Sequence, residues 1–388
     1  MSSPRRPSQQ LHREVRFDEV RYDFYICKGP DSWHDLRSHL AKLDTDLFVL
    51  IADQGLRPAA VAEVESHFKA IAPTLVIPTL ANERVKRLGT IDELAELALR
   101  GGVTRQSCVV ALGGGVVGNM AGLLAGLLYR GIRFVHLPTT LLSMSDSVLS
   151  MKQGVNSRQG KNLLGLFHPP IFVWNQLDFL DSLPVEAIKS ALCETVKNVI
   201  TICPERCDEV AGKLRPDGCY SAEVITEFIE LCVDTKMKVM RNDPREKGDA
   251  RILEYGHTVG HAVELLSEGK IHHGFAIGLG MLAAARVAGL LGYLDSKDES
   301  LHRELLLRNG APIALPKSID IQEIMRTIGL DNKRGYVRPK PGKCDFILLD
   351  GLGKPHRGKD GGLITQVDEE LVRAGIESIK YRKPARIG

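Results

Sequence analysis

The sequence predicts an α/β nucleotide-binding (Rossmann-like) N-terminal domain followed by a mainly α-helical C-terminal domain. Three observations carry this. Residues 45–140 alternate short apolar strands with helix-period segments, the pattern of a mostly parallel sheet covered by helices on both faces. Gly113-x-Gly115-x-x-Gly118 follows an apolar strand and opens an apolar helix, a spacing that lets backbone N–H groups approach a pyrophosphate. From Pro184 onward, Leu and Ala recur at three- and four-residue spacing. With 388 residues and 44% hydrophobic content, the chain can bury two medium cores. We expect a disordered basic tail over 1–16, the nucleotide-binding domain over 17–176 and the helical domain over 177–388.

The elements follow in order. Residues 17–30 alternate with period two and read as an edge hairpin. Asp46–Asp53 is a continuous apolar strand of the kind buried on both faces. Asp53 ends it, at the sheet edge where ligands bind in open α/β folds, though the residue equally suits a turn cap. A helix over 58–70, a strand over Thr74–Thr79, a polar loop at Asn82–Lys86 and a helix from Ile91 to Arg100 come next. The strand Cys108–Leu112 leads into the glycines and a helix ending near Tyr129-Arg130-Gly131. The strand Ile132–Leu137 runs into Pro138-Thr139-Thr140. Residues 145–165 are dense in Asn, Gln, Asp and Lys and read as a long polar loop of functional weight. After the strand at 171–175, helices are expected over Val185–Ile200, Ser221–Met240, Ile252–Leu266, Phe275–Leu291 and Asp298–Leu307. Asp345–Leu349 reads as a small hairpin with Gly362–Val367, and the basic tail after Arg373 as loosely held.

Composition excludes several classes. A net charge of +3 with 26% charged residues calls for no nucleic-acid or membrane partner. No apolar run reaches membrane-spanning length, and the N-terminus has no apolar signal core. Eight cysteines without C-x-x-C spacing read as reduced, cytoplasmic thiols.

Two constellations could carry chemistry. His257 and His261 are four apart and share one helical face, an arrangement that suits a divalent metal. His272 and His273 follow within a few residues, and Glu194 lies on an earlier helix. His with carboxylate is an acceptable zinc or cobalt set, and spacing alone does not choose among His261, His272 and His273. Lys152, Lys161, Asn162, Lys333 and Arg334 could form an anion site, although any lone lysine reads as a solvated charge.

Several runs then occur together and in order: Gly113-Gly114-Gly115-Val116-Val117-Gly118, Tyr129-Arg130-Gly131, Pro138-Thr139-Thr140, Ser145-Asp146-Ser147 through Gln153, Gly160-Lys161-Asn162, Leu192-Cys193-Glu194, Glu254-Tyr255-Gly256-His257 and Asp331-Asn332-Lys333-Arg334. On these the chain resembles the sugar phosphate cyclases, whose best-known member is 3-dehydroquinate synthase. The Ser145–Gln153 run, Glu254 in place of Asn, and Ala250 in place of a carboxylate-binding Arg resemble the branch that cyclises glucose 6-phosphate in 2-deoxystreptamine aminoglycoside antibiotic biosynthesis.

The resemblance implies Glu194, His257 and His273 as ligands of a zinc or cobalt ion, and Lys152 and Glu254 as catalytic residues. It places Asp53, Glu83, Lys86, Gly114, Gly115, Val116, Val117, Gly118, Thr139, Thr140, Asp146, Lys161 and Asn162 around NAD and the substrate. Lys152, Asn162, His261 and Lys333 match substrate or phosphate positions, and Arg130 an arginine that reaches across a homodimer. The implied reaction is a carbon–oxygen lyase cyclisation that expels phosphate. Competing readings are another cyclase of the family, 3-dehydroquinate synthase or a valiolone-type synthase, and an NAD-dependent polyol dehydrogenase. Two positions depart from the family pattern. His273-Gly274-Phe275-Ala276 stands for the usual His-Gly-Glu-Ala, which removes a carboxylate beside the metal site. The Gly-Glu-x-x-Lys loop begins with Asn82.

Overall fold

Strands that are apolar at every position need cover on both faces, and the chain supplies it. The structure, a computed structural model, describes residues 10–17, 20–329 and 336–381. It divides into two compact units between Leu183 and Pro184.

The first unit contains β1 (Gln10–Phe17), β2 (Val20–Cys27), α1 (Ser32–Ala41), β3 (Phe48–Asp53), α2 (Pro58–Lys69), β4 (Thr74–Thr79), α3 (Leu88–Arg100), β5 (Cys108–Gly113), α4 (Gly115–Leu127), β6 (Arg133–Pro138), β7 (Lys152–Ser157), β8 (Gly160–Phe167) and β9 (Phe172–Gln176). Seven strands form one sheet in the order β1-β2-β9-β6-β5-β3-β4, parallel except for the β1–β2 hairpin. Val49, Ile51, Val109 and Ala111 face α3 and α4. Their neighbours Leu50, Val110 and Leu112 face α1 and α2 on the other side. The order reverses between β3 and β5: the chain leaves β3 for β4, then returns to the other side of β3 as β5. Register pairs Ala52 with Leu112, so Asp53 and Gly113 leave the sheet together at this switch point.

Three expectations change here. Residues 10–16 are strand, not tail, because Val15 and Phe17 are fully buried and β1 pairs along its whole length with β2; residues 1–9 lie outside the described part. The polar stretch 145–165 is a wide helical turn at Ser143–Ser147 and then the β7–β8 hairpin. Polar side chains help to hold this hairpin, beside Val155 and Leu166 on the core. Gln153 Nε2 donates to His168 O (3.1 Å), and Asn119 Oδ1 accepts from Gly154 N (3.1 Å). Residues 177–183 stay with the first unit: Asp178 accepts from Gly29 N (2.9 Å) and Phe179 packs edge-on against Trp33.

The second unit contains α5 (Val185–Thr201), α6 (Cys207–Lys213), α7 (Ala222–Met240), α8 (His257–Leu266), α9 (His273–Leu290), α10 (Ser296–Arg308), α11 (Ile321–Ile328), β10 (Lys343–Ile347), β11 (Leu349–Gly351), β12 (Lys354–Pro355), β13 (Ile364–Asp368) and α12 (Glu369–Ser378). The β10–β13 pairing is the expected hairpin. The single helix expected over 252–266 is broken. A 3-10 turn over Asp249–Glu254 ends at Gly256 (φ 78), and α8 starts anew at His257. Of the stretch after Arg373, residues 374–378 complete α12 (Glu369–Ser378), held by buried Val372 and Ile376, and Leu315 N donates to Ile379 O (2.7 Å); residues 382–388 lie outside the described part. Helix α9 is long and apolar enough to cross a membrane, against the reading from sequence, but it is the buried centre of this unit, packed by α5, α8, α10 and α12.

Close approach around α9 depends on small residues. A Cβ on Gly274 would lie 1.8 Å from Ser190 O of α5. Gly274→Ala is therefore expected to push α9 off α5 and destabilise the protein by about 1–3 kcal/mol or more. A lowered midpoint in urea unfolding would register the loss, and an unchanged midpoint would refute the packing argument.

Candidate active site

In the first unit the candidate residues gather at the sheet edge. Helix α4 begins after Gly114, and Gly118 N is the first to close on Gly114 O (3.0 Å), so the amides of Gly115, Val116 and Val117 have no acceptor within the helix. A Cβ on Gly115 would meet Ser147 Oγ at 2.7 Å, so only glycine leaves the backbone bare there. The glycine cradle and the positive end of α4 fit a dinucleotide pyrophosphate. Thr139 is buried at the end of β6, and Thr140 Oγ1 accepts from Ser143 N (3.2 Å), starting the turn that carries Asp146. Asp53 Oδ1 accepts from Gly55 N (2.7 Å), so this residue does cap a turn at the switch point.

A polar network links the Asn82–Lys86 loop to the hairpin. Lys86 Nζ donates to Asn162 Oδ1 (2.6 Å), and Lys161 pairs with Glu83 (3.5 Å). Asn156, one of the polar residues of this segment, joins them. Its Nδ2 donates to Glu83 Oε2 (2.7 Å), its Oδ1 accepts from Asn162 N (2.9 Å), and its own N donates to Lys86 O (2.7 Å). Asn82 serves the loop by accepting from Arg84 N (3.0 Å) and Val85 N (3.2 Å), so its side chain forms the turn. Lys152 stands exposed at the start of β7, its N held by Ser150 Oγ (3.1 Å). Tyr129 (φ 52) and Arg130 (φ 70) take successive left-handed conformations in an exposed turn.

In the second unit the chain brings together Glu194, His257 and His273, whose ligand atoms lie within 4.8 Å of one another. Gly274 N donates to Ser190 Oγ (3.0 Å), one turn below Glu194, and this sets His273 opposite the carboxylate. His273 Nε2 lies 3.4 Å and His257 Nε2 3.8 Å from Glu194 Oε1. Ligands about 2.0 Å from a tetrahedral ion lie roughly 3.3 Å apart, so the cluster has the right size. Both imidazoles are fixed through Nδ1. His257 Nδ1 meets Tyr255 O (3.0 Å), an atom that can only accept, so Nδ1 carries the proton and Nε2 the lone pair. His273 Nδ1 meets Glu264 Oε2 (3.1 Å). A carboxylate from α8 thus stands beside His273, while Phe275 is buried against His272.

Tyr255 is anchored in turn. His302 Nδ1 donates to Asp298 O (2.8 Å), and His302 Nε2 accepts from the Tyr255 hydroxyl (3.0 Å). Glu194 is 1% exposed, and neither of its oxygens receives a well-aligned hydrogen bond. Lys197, missed from sequence, sits one turn on with Nζ 2.5 Å from Oε2 and donates to Leu253 O (2.7 Å). A buried acceptor set of this kind suits a cation.

His257, Glu254 and His261 form a second group within the same 4.8 Å reach. His272 caps α9 and belongs to neither group. Lys333 and Arg334 lie outside the described residues.

Electrostatics distinguish the three side chains. Burial and the Lys197 ammonium push His257 down to about 3, so it is neutral. Burial would also depress His273, but the Glu264 and Glu194 carboxylates outweigh it and push this imidazole up to about 10. Burial would raise the Glu194 carboxyl, yet Lys197 and the imidazoles hold it well below the usual range. Near neutral pH a proton therefore occupies His273 Nε2 when no metal is bound. A divalent ion should displace about one proton, and its affinity should rise about tenfold per pH unit below pH 10. Calorimetry of Zn²⁺ binding in buffers of different ionisation enthalpy reads this directly; binding without proton release would contradict it.

The same architecture occurs in known proteins. The 3-dehydroquinate synthase N-terminal family matches residues 76–190, and the 3-dehydroquinate synthase C-terminal family residues 185–334. A 2-deoxy-scyllo-inosose synthase of Streptoalloteichus tenebrarius is 41% identical over 380 residues, covering 96% of this chain and 96% of that protein. One from Micromonospora echinospora is 40% identical over 378 residues, covering 96% and 95%. A crystal structure of 2-deoxy-scyllo-inosose synthase complexed with carbaglucose-6-phosphate, NAD⁺ and Co²⁺ has a TM-score of 0.89 and 35% identity, covering 95% of this chain and 100% of that one. The chain belongs to the 3-dehydroquinate synthase family of sugar phosphate cyclases, and within it to the 2-deoxy-scyllo-inosose synthases.

Proposed function

We propose that this protein converts D-glucose 6-phosphate to 2-deoxy-scyllo-inosose with release of phosphate, as a carbon–oxygen lyase of 2-deoxystreptamine aminoglycoside biosynthesis. The observation that carries the reading is the placement of a carboxylate, Glu254, three residues before a neutral ligand histidine and within its cluster. A dehydrogenase needs the metal and nucleotide sites alone; a cyclase also needs a base for a C–H proton.

When bound, NAD supplies reversible hydride exchange at a substrate carbinol, and a zinc or cobalt ion polarises that hydroxyl. Glu194, His257 and His273 would hold the ion. The α4 amides, with Asp53, Glu83, Lys86, Thr139, Thr140, Asp146 and Lys161, would hold the nucleotide and orient the sugar. Glu254 accepts the proton from the carbon next to the oxidised one, which lets phosphate depart. Lys152, Asn162, His261 and Lys333 bind the phosphate or substrate hydroxyls, and Lys152 stabilises the leaving group as a point charge. Holding the opened sugar with its nucleophilic carbon beside the aldehyde makes ring closure effectively unimolecular.

A homodimer suits the first unit. Leu163 and Phe167 of β8 and Leu127 of α4 are exposed, and the strained Tyr129–Arg130 turn would direct Arg130 to a partner. The protein would act in the cytoplasm.

Incubation with glucose 6-phosphate, catalytic NAD and Co²⁺ or Zn²⁺ is expected to release phosphate and form 2-deoxy-scyllo-inosose without accumulating NADH. Turnover of sedoheptulose 7-phosphate instead would move the substrate, and stoichiometric NADH would indicate a dehydrogenase. Glu254→Gln is expected to bind NAD and metal normally but to lose about 100-fold or more in kcat. Near-normal turnover in that variant would remove Glu254 from the mechanism.

A further inference from the structure

The two ligand histidines are held by different means. His257 Nδ1 donates to the backbone carbonyl of Tyr255, an acceptor that no side-chain substitution deletes. His273 Nδ1 is held by a side chain, the Glu264 carboxylate at 3.1 Å. Glu264 lies near the C-terminal end of α8 and His273 opens α9, so the contact crosses the connection between the two helices. The pair is mostly buried, with side-chain exposures of 14% and 26%. Phe275, two residues on, offers no side-chain acceptor.

We infer that Glu264 is the positioning residue of this centre: it fixes the tautomer and ring orientation that aim His273 Nε2 at Glu194, and so sets the affinity for a divalent ion. The inference rests on the proposal that Glu194, His257 and His273 hold that ion. A carboxylate on the far nitrogen does two things that a carbonyl does less well. It keeps the proton on Nδ1, and its charge makes Nε2 a stronger donor to a metal. Without it the ring can turn, or swap its proton to Nε2 and lose the lone pair. The competing role for Glu264 is a clamp between α8 and α9 that contributes to folding alone.

The test uses full-length protein stripped of metal, with Zn²⁺ and Co²⁺ alone as probes. Dissociation constants are read by competition with a chromophoric chelator, the Co²⁺ d–d spectrum reports geometry, and the melting temperature of the metal-free protein reports folding. Glu264→Ala is expected to weaken Zn²⁺ binding about 10- to 100-fold, to alter the Co²⁺ spectrum and to leave NAD affinity near wild type; the metal-free melting temperature falls as well, because the mostly buried His273–Glu264 pair is lost. Glu264→Gln, whose amide oxygen still accepts from Nδ1, should recover much of the loss. Should the alanine variant misfold, the isosteric glutamine variant decides: a modest loss of metal affinity supports positioning, and wild-type affinity rejects it. Wild-type metal affinity in the alanine variant, or a fall in metal-free melting temperature with affinity intact, would overturn the inference. His257→Ala separates this from the metal assignment itself. If wild-type protein binds Zn²⁺ and His257→Ala does not, the centre stands whatever Glu264 does. If wild type and His257→Ala bind Zn²⁺ alike, the centre itself is wrong.

Discussion

A carboxylate that is 1% exposed in the middle of a helical unit is costly to bury, and the arrangement of the second unit follows from offsetting that cost. Glu194 sits on α5, among Ala191, Leu192, Val196 and Ile200 and a few buried polar side chains. Lys197, one turn further, supplies a cation at 2.5 Å. The N-terminal ends of α8 and α9 each begin with a histidine that turns Nε2 toward the same oxygen, at 3.8 Å and 3.4 Å. These positions need α9 pressed against α5 at Gly274 and against α8 at Gly280, where a Cβ would fall 1.9 Å from Gly256 O. Packing and charge thus specify the same geometry. The glycines permit the approach, and the buried anion gives the two imidazoles a common target.

The first unit answers a different constraint. Its sheet is covered on both faces, so its free polar backbone can appear only at strand ends and helix starts. The switch between β3 and β5 leaves one such place, and the bare turn at Gly114–Gly115 keeps it open to a ligand backbone. The β7–β8 hairpin then adds side-chain polarity beside the Glu83–Lys86 loop through Asn156. That one residue satisfies Glu83, Asn162 and the Lys86 carbonyl together, and so holds two loops in register.

Where burial wrote the sequence, the fold could be read from it. The strand at 74–79 was legible to the residue and the helix at 58–70 to one, because each is an apolar run or an amphipathic repeat with clear stops. Where function wrote the sequence, the reading failed. Residues 152–167 pair as a hairpin whose polar run from Asn156 to Asn162 hides the strand pattern, although Val155 and Leu166 pack on the core. The helix expected across 252–266 breaks at Gly256, whose left-handed φ of 78 starts α8 at a ligand. The same distinction holds for the site. His257 and Glu194 stood out as residue types at suggestive spacing. Lys197 and Glu264 did not, since an i+3 lysine and a glutamate near a helix end look like ordinary helix charges until burial and partners are known. Among the histidines, spacing left His261, His272 and His273 equivalent. The Ser190–Gly274 contact separates them by fixing where α9 starts.

The His273 contact shows that the carboxylate beside an imidazole can come from a neighbouring helix. An anion next to His273 keeps the far nitrogen protonated, and it makes no difference to the imidazole which helix provides it. Glu264 comes from α8, the helix that also carries His257 and follows directly from Glu254. One short stretch, 254–264, therefore carries the proposed base, one proposed ligand and the carboxylate that meets another. Glu254 closes a 3-10 turn and His257 and Glu264 share α8, with the anchored Tyr255 and the left-handed Gly256 at the joint. A shift of α8 would carry His257 and Glu264 together, while Glu194 stays on α5 and His273 on α9. Two residues of backbone thus tie the proposed base to the nearest proposed ligand, which suits a reaction whose polarised hydroxyl and deprotonated C–H sit on adjacent carbons.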